Sequence, residues 1–175
     1  MGRIIIINIV RFTIMVLLQV ALFKNIGYYN VATTYPYIFF IFLLPIGLPN
    51  LLLFLVSFIT GLTIDAFYDS VGVHAAACVA LALFRIFFHK ITIEVELKES
   101  FNTPSLGVMG TKWFLSYVFF GTFVHHFILF LIETFTFSNF LYTLASTILS
   151  SIFTTCIILL MSLLVYKRKS RIGSI

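Results

Sequence analysis

Long apolar runs recur along this chain of 175 residues, and their length is the feature that most limits its fold. Hydrophobic residues make up 61% of the sequence and charged residues only 10%, whereas soluble domains carry about 25% charged residues. A chain of this size cannot hide so much apolar surface from water, because small domains leave much of their surface exposed. The composition therefore predicts an integral membrane protein rather than a soluble enzyme, a disordered chain or a disulfide-stapled domain.

Six runs are candidates for membrane-spanning helices, which need about 20 mostly apolar residues each. They cover residues 4–23, 35–48, 51–67, 73–88, 113–133 and 140–165. The second run is short, with Pro36 near its start and Pro45 near its end, and only five runs cross if it re-enters the membrane or lies along it. The first run ends without a small-x-small cleavage site, which predicts a retained helix rather than a signal peptide. We therefore predict one all-α polytopic membrane domain over residues 1–175, with six transmembrane helices of which the second is short.

Basic residues divide unevenly between the two predicted sides of the membrane. With six spans, the side that holds both termini carries Arg3, Lys90, Lys98, Lys112, Lys167, Arg168, Lys169 and Arg171. The opposite side carries Lys24 as its only base. Because cytoplasmic loops are enriched in Lys and Arg, this asymmetry predicts cytoplasmic N- and C-termini; with five spans the N-terminus would be outside. The bases form a membrane flank and not a face with interleaved aromatic residues, so no nucleic-acid partner is predicted.

Charged residues inside the predicted spans need a partner, an exit to the surface or a function, because a charge at mid-bilayer costs about 2.5–3.5 kcal/mol. Arg11, in the first run, is predicted either to snorkel to the inner surface or to contact another helix or a partner. Arg85 and His89 lie near the inner end of the fourth run, where snorkelling is easy. All three bases are therefore interpreted first as residues that reach the inner membrane surface.

A second polar group falls in the outer half of the predicted bundle. Its members are Asp65, Asp69, His74, His125, His126 and Glu133. We expect interhelical hydrogen bonds here, with a partner contact, an outward cavity, and a metal or proton site as the alternatives. His-x-x-x-His spacing is absent, and adjacent histidines on a helix point about 100° apart, so no metal or other cofactor is predicted.

Two further patterns concern packing and the polar linker. Ser146, Ser150 and Thr154 recur every four residues in the last run, which predicts a stripe for close helix packing. Residues 90–98 alternate between polar and apolar side chains, which is typical of a strand. Such a strand could lie on the membrane face or add to the sheet of a partner, and a linker along the membrane surface is the alternative.

Three neighbouring stretches form a recognisable pattern: Gly61-Leu62-Thr63-Ile64-Asp65, the link Asp69-Ser70-Val71-Gly72, and the small-residue helix start His74-Ala75-Ala76-Ala77. In this pattern the sequence resembles the bacterial rod-shape-determining MreD family. The proline-punctuated second run, the Arg-bearing first helix and the basic tail also match the family in outline. The resemblance implies a fold similar to the substrate-binding membrane subunits of energy-coupling-factor transporters.

The same resemblance implies a non-enzymatic component of the cell-elongation complex in the bacterial inner membrane, which supports peptidoglycan synthesis and cell shape. Its partners would be an MreC-like periplasmic scaffold, RodA with its transpeptidase, and MreB. The candidate structural or partner-contact residues are Gly61, Asp65, Asp69, Gly72, His74 and Arg11, with Asp65 foremost.

A small-solute-binding membrane subunit of a transporter is the alternative function. An interaction protein predicts polar residues that pair between helices and an apolar groove that faces lipid. A solute-binding subunit predicts a closed pocket lined by Asp65, His74, His125 and aromatic residues.

Overall fold

The computed structural model of the protein describes residues 2–24, 27–28, 32–94, 102–134 and 140–164. The described chain is predominantly helical. Its seven α-helices are α1 (Gly2–Leu18), α2 (Phe39–Phe42), α3 (Asn50–Tyr68), α4 (Val73–Thr92), α5 (Leu106–Met109), α6 (Thr111–Thr134) and α7 (Phe140–Leu164). A π-helical turn (Gln19–Phe23) extends α1, a 3-10 turn (Pro36–Ile38) precedes α2, and the strands β1 (Gly27–Tyr28) and β2 (Ala32–Thr33) pair antiparallel.

Five helices are long and apolar enough to cross a membrane. They are the extended α1 (Gly2–Phe23), α3, α4, α6 and α7, with 19 to 25 residues each. This confirms an all-α, multi-pass membrane protein. The ends of these helices lie within four residues of the five longer predicted runs.

The second predicted run does not form a helix of spanning length. Only Pro36–Ile38 and Phe39–Phe42 are helical, and the chain then turns through Pro45. Pro36 suits a helix start because its fixed φ is helical, whereas Pro45 has no N–H and disfavours the helical conformation of Leu44. Every residue from 34 to 46 is buried, and we call this stretch the buried segment.

Helices α3 and α4 form a tight antiparallel pair. Asp69 and Gly72 adopt left-handed conformations, with φ of 53° and 79°, in the turn between them. A Cβ on Gly61 would overlap the backbone of His74 and Ala75, so the glycine lets the two helices touch. We call the end of the molecule with this turn the upper end, and the end where α3 begins the lower end.

Helix α1 runs in the same direction as α3. Near the lower end, Ile5 of α1 and Leu52 of α3 line one groove. Near the upper end, the Gln19 side chain donates to the Tyr68 hydroxyl across 2.7 Å, and Lys24 Nζ donates to the carbonyl of Phe67 across 2.5 Å. The chain therefore returns from the upper to the lower end between α1 and α3, along the buried segment.

Helices α6 and α7 complete the packing around the buried segment. Trp113 of α6 packs against Phe88 of α4 near the lower end, and His126 of α6 bonds Thr154 of α7 in the interior. The Phe42 ring of the buried segment occupies the space that a Cβ on Gly121 would fill. The core is thus a short, irregular segment enclosed by spanning helices.

The predicted strand over residues 90–98 is wrong for its first three residues. Helix α4 continues through Thr92, and Ile93, which follows it, has extended dihedral angles. The helix satisfies the backbone hydrogen bonds of this stretch internally, whereas a lone strand would need a partner. Residues 95–98 lie outside the described part of the chain.

Candidate functional site

Several polar side chains in the interior bond the backbone of the buried segment and the residue before it. Ser150 Oγ accepts from the N–H of Thr33 at 3.0 Å, and Thr154 Oγ1 accepts from the N–H of Tyr35 at 3.3 Å. The Gln19 amide donates to the carbonyl of Thr34 at 3.2 Å. Non-helical backbone at membrane depth is tolerated only where such partners exist. The hydroxyl stripe of α7 is therefore a packing face, as predicted, and it also supplies hydrogen bonds.

Arg85 bonds the other end of the buried segment. Its guanidinium donates to the carbonyl oxygens of Ile41, Leu44 and Pro45, at 2.6, 2.5 and 2.9 Å. The side chain is only 2% exposed, so the prediction that it snorkels to the surface is wrong. The planar fork of Arg can serve several acceptors at once, and this explains why a base lies inside the bundle.

Asp65 ties α3 to the beginning of α4. Its carboxylate accepts from the N–H groups of His74 and Ala75, at 2.9 and 3.0 Å, and from the Ser70 hydroxyl at 2.6 Å. These N–H groups lie in the first turn of α4, where the helix has no internal acceptor for them and its dipole favours a negative charge. The buried Asp65 is thus an interhelical anchor.

The remaining predicted residues of this region have separate roles. Asp69 is exposed and ends α3, so it does not share the buried environment of Asp65. Gly72 supplies the left-handed turn that opens α4, and Gly61 provides the close contact between α3 and α4. The structure therefore brings Gly61, Asp65 and His74 together at one helix contact.

His74 belongs to a buried polar cluster around Tyr37. The Tyr37 hydroxyl lies 3.1 Å from His74 Nδ1 and 2.9 Å from His125 Nε2, with Cys78 Sγ at 3.4 Å. His126 faces elsewhere: its Nδ1 lies 2.7 Å from the carbonyl of Thr122, and Nε2 bonds α7. The two adjacent histidines thus diverge as predicted. The described residues contain no group of three or more side chains suited to a metal ion.

Arg11 is half-buried near the linker that precedes α5. Its guanidinium lies 3.4 Å from the Thr103 hydroxyl, and both residues line a cavity of about 410 Å³ with Ser105 and Ser162. Thr103 belongs to the non-helical stretch before α5, so this contact is with neither another helix nor a partner, and the predicted alternative for Arg11 stays a prediction.

Four of the cavities along the described residues bear on the site, and Asp65, His74 and His125 line none of these four. His74 and His125 instead contact the Tyr37 hydroxyl, and Asp65 accepts from the first turn of α4. A cavity of about 420 Å³ near the upper end is lined by Tyr35, Glu133 and Ser146.

The largest of these four cavities is an open apolar groove of about 450 Å³ between α1 and α3. Its lining includes Ile5, Phe12, Leu52 and Ile59, together with Phe40 of α2. Only 11% of the apolar window of α1 is buried, so this helix packs loosely at the edge of the bundle.

Asn8 is the notable polar residue of this groove. Its amide nitrogen donates to the carbonyl of Ile4 at 2.9 Å, while its Oδ1 is buried and has no partner among the described residues. A buried acceptor without a donor costs about 1–3 kcal/mol. The wall of the groove therefore contains one unsatisfied hydrogen-bond acceptor, which is itself shielded by its surroundings.

Sequence reasoning missed Asn8, Gln19 and Tyr37, and it misjudged Arg85. The signal for Asn8 and Gln19 was present, because each is an amide side chain inside an apolar run. Tyr37 carries no such signal, since tyrosine is common near membrane surfaces.

Comparison of the chain with protein-family models, curated proteins and solved structures found no significant match.

Proposed function

We propose that this protein is a non-enzymatic membrane interaction protein whose α1–α3 groove receives a transmembrane helix of a partner. The observation that carries the proposal is the unsatisfied Oδ1 of Asn8 in an otherwise apolar groove. An acyl chain would fill the apolar space, but it has no donor for this oxygen. A helix that carries Ser, Thr, Asn or Gln supplies the apolar surface, and it supplies the hydrogen bond once the Asn8 side chain turns its oxygen toward the groove; such bonds are common between membrane helices.

The shape of the groove supports a helical occupant. Its lining residues extend from Ile4 to Phe12 on α1 and from Pro49 to Thr60 on α3, which amounts to two to three helical turns. A partner helix that packs against the parallel helices α1 and α3 would bury side chains that otherwise face lipid. The loose packing of α1 leaves room for such an arrangement without loss of the core around the buried segment.

The proposed setting is the bacterial cell-elongation complex, where the protein supports peptidoglycan synthesis and cell shape. The resemblance of residues 35–85 to the MreD family supports this setting. The proposed partner for the groove is the membrane helix of an MreC-like scaffold, with RodA, its transpeptidase and MreB in the same assembly. The likeness to the fold of energy-coupling-factor membrane subunits is part of the same proposal.

The proposed topology has six crossings, with the buried segment as the second, and both termini in the cytoplasm. Its support is that α1 and α3 run parallel, which requires the chain between them to return across the membrane. The bases Arg3, Lys90 and Lys112 then share the lower side, as expected for a cytoplasmic face. A membrane-impermeant maleimide should label Lys24→Cys in intact cells and leave Gly2→Cys unlabelled; the reverse pattern contradicts this topology.

The function is tested by affinity purification through a C-terminal tag from mild detergent. A photo-crosslinking residue at Ile5 or Leu52, inside the groove, should capture a single-helix scaffold protein, while the same residue at Leu160 of α7 should not. Recovery of the scaffold with wall-synthesis enzymes is the expected result. Asn8→Leu should reduce this recovery, because it removes the acceptor in the groove.

Thr13→Val is the matched control for Asn8→Leu. Thr13 lies on the same helix, is exposed, and bonds only the carbonyl of Ile9, so its replacement should leave recovery unchanged. Equal loss in both variants, or capture at Leu160 alone, would contradict a role for the groove.

A solute-binding transporter subunit is the second candidate. It is favoured by the polar cavity near the upper end, where Ser146 Oγ is buried and has no partner among the described residues. Recovery of an ATPase module with no wall-synthesis partner would favour this function over the first.

A further inference from the structure

A separate cavity of about 330 Å³ lies at the lower end of the molecule. It is formed where α3 begins, at Asn50, and where α4 ends, at His89 and Lys90, with Gly47 of the connecting turn between them. Arg85 lies deeper in the same wall. The cavity is distinct from the α1–α3 groove in its chemistry, because it is surrounded by hydrogen-bond donors and positive charge.

The first source of donors is the beginning of α3. The N–H groups of its first residues have no acceptor within the helix, and the dipole of a 19-residue helix places partial positive charge there. The N–H of Leu53 is already paired with the carbonyl of Pro49, at 2.9 Å. Among the N–H groups that precede it, that of Asn50 belongs to a residue that lines the cavity. Helix N-termini of this kind bind anions.

The second source is the guanidinium of Arg85. Its hydrogen bonds within the described structure go to three neutral carbonyl oxygens, so they satisfy its donors without balancing its charge. A buried cation without a carboxylate partner is costly, and a bound anion lowers that cost.

The third source is His89, which points to a ligand independently of the helix end. This side chain is 8% exposed and lines the cavity, and its Nε2 has no partner among the described residues. In the tautomer with its proton on Nε2, the His89 imidazole is suited to donate to an oxyanion beside the guanidinium and the helix N-terminus. Lys90 adds an exposed positive charge at the rim.

We infer that this cavity binds a phosphate group, carried either by the headgroup of an anionic lipid or by free phosphate. Basic pockets between membrane helices on the cytoplasmic side are suited to anionic headgroups. Exposed apolar side chains lie next in sequence to the polar lining, with Leu51 and Ile91 each 83% exposed, and these suit the acyl chains of a lipid. The inference does not depend on the partner that occupies the α1–α3 groove.

The test uses the full chain purified in neutral detergent. Native mass spectrometry measures retention of phosphatidylglycerol against phosphatidylcholine, and thermal unfolding is recorded with each lipid and with inorganic phosphate. Phosphatidylglycerol should be retained in preference, because the ammonium of phosphatidylcholine is repelled by the basic lining. Lys90→Gln should weaken binding about fivefold, as expected for one base near an anionic headgroup.

Lys112→Gln is the matched control, since Lys112 is an exposed base at the lower end that does not line the cavity. It should leave lipid retention unchanged. His89→Leu should weaken retention while its unfolding temperature without lipid shows that it is folded. If inorganic phosphate alone stabilises the protein and Lys90→Gln removes this effect, the site takes free phosphate. Equal retention of both lipids with no response to phosphate, or equal effects of Lys90→Gln and Lys112→Gln, would overturn the site.

Discussion

The guanidinium of Arg85 donates a hydrogen bond to the backbone carbonyl oxygen of Ile41 across 2.6 Å, although 44 positions separate the two residues. With two further carbonyl acceptors, this contact fixes the lower end of the buried segment to α4. The pair shows why a base is retained in the interior of this membrane protein: it takes the place of the backbone donors that a regular helix would supply.

Replacement of Arg85 should therefore destabilise the fold in a graded way. Each hydrogen bond from a charged donor contributes about 1.5–3 kcal/mol, so Arg85→Lys, which has no planar fork, should lose about that much and Arg85→Met more. The measurement is thermal unfolding in detergent. Arg11→Lys is the control, because Arg11 makes a single long contact at 3.4 Å, and an equal loss there would contradict the assigned role.

Tyr37→Phe should destabilise the protein by about 1–3 kcal/mol, because it leaves Nδ1 of His74 and Nε2 of His125 without their shared partner. Tyr117→Phe provides a close comparison. Both tyrosines are fully buried, but the Tyr117 hydroxyl has no hydrogen-bond partner within the described residues, so its removal should be neutral or stabilising. Chemical unfolding of the two variants side by side measures the difference, and equal effects would refute the cluster's contribution.

Asp65→Ala should cost about 0.5–2 kcal/mol, the range for loss of a side-chain cap at a helix N-terminus. Asp65→Asn should cost less, since its amide oxygen still accepts one hydrogen bond from the first turn of α4. Asp69→Asn removes an exposed carboxylate and keeps a side chain that tolerates the left-handed conformation of this residue, so we expect no measurable change in unfolding temperature. If Asp69→Asn proved more damaging than Asp65→Ala, the anchor would be misassigned.

Gly61 and Gly72 should respond differently to substitution, because different constraints require them. Gly61→Ala forces a methyl group against the backbone of α4, and overpacking of this kind costs about 1–3 kcal/mol. Gly72→Ala meets open space but keeps a positive φ, and Gly72→Asn should recover part of the loss because Asn tolerates that conformation. Thermal unfolding should show no such recovery for Gly61→Asn, and recovery at both positions would contradict the steric explanation.

The sequence predicted the parts of this structure that depend on local properties. The length of the apolar runs predicts the five long helices. Gly72 marks the beginning of α4 because it permits a left-handed turn. The role of Arg85 could not be predicted in the same way, because its carbonyl acceptors lie on another element more than 40 positions away. The failure has a physical reason: snorkelling and burial are equally open to an Arg near a helix end until the surrounding helices are placed.

The features of the candidate site were likewise predicted where they depend on local geometry and missed where they depend on distant elements. The divergence of His125 and His126 follows from helical geometry, and so the sequence predicted it correctly. The groove that contains Asn8 arises only from the relative placement of α1 and α3, which no local pattern encodes. Asp65 and the hydroxyl stripe of α7 could be assigned to helix contacts from the sequence, because a short turn and a helical repeat reveal them. Arg85 and Asn8 could not, because their surroundings depend on elements that are distant in the sequence.

The buried segment also has a consequence for biogenesis. Each long helix satisfies its own backbone and can enter the bilayer as it leaves the ribosome, whereas this stretch depends on donors and acceptors from α1, α4 and α7. Of these three helices, α4 and α7 are synthesised later than the segment itself. Membrane insertion of this region is therefore coupled to assembly of the finished bundle, and truncation before α7 should leave it exposed to quality-control proteolysis.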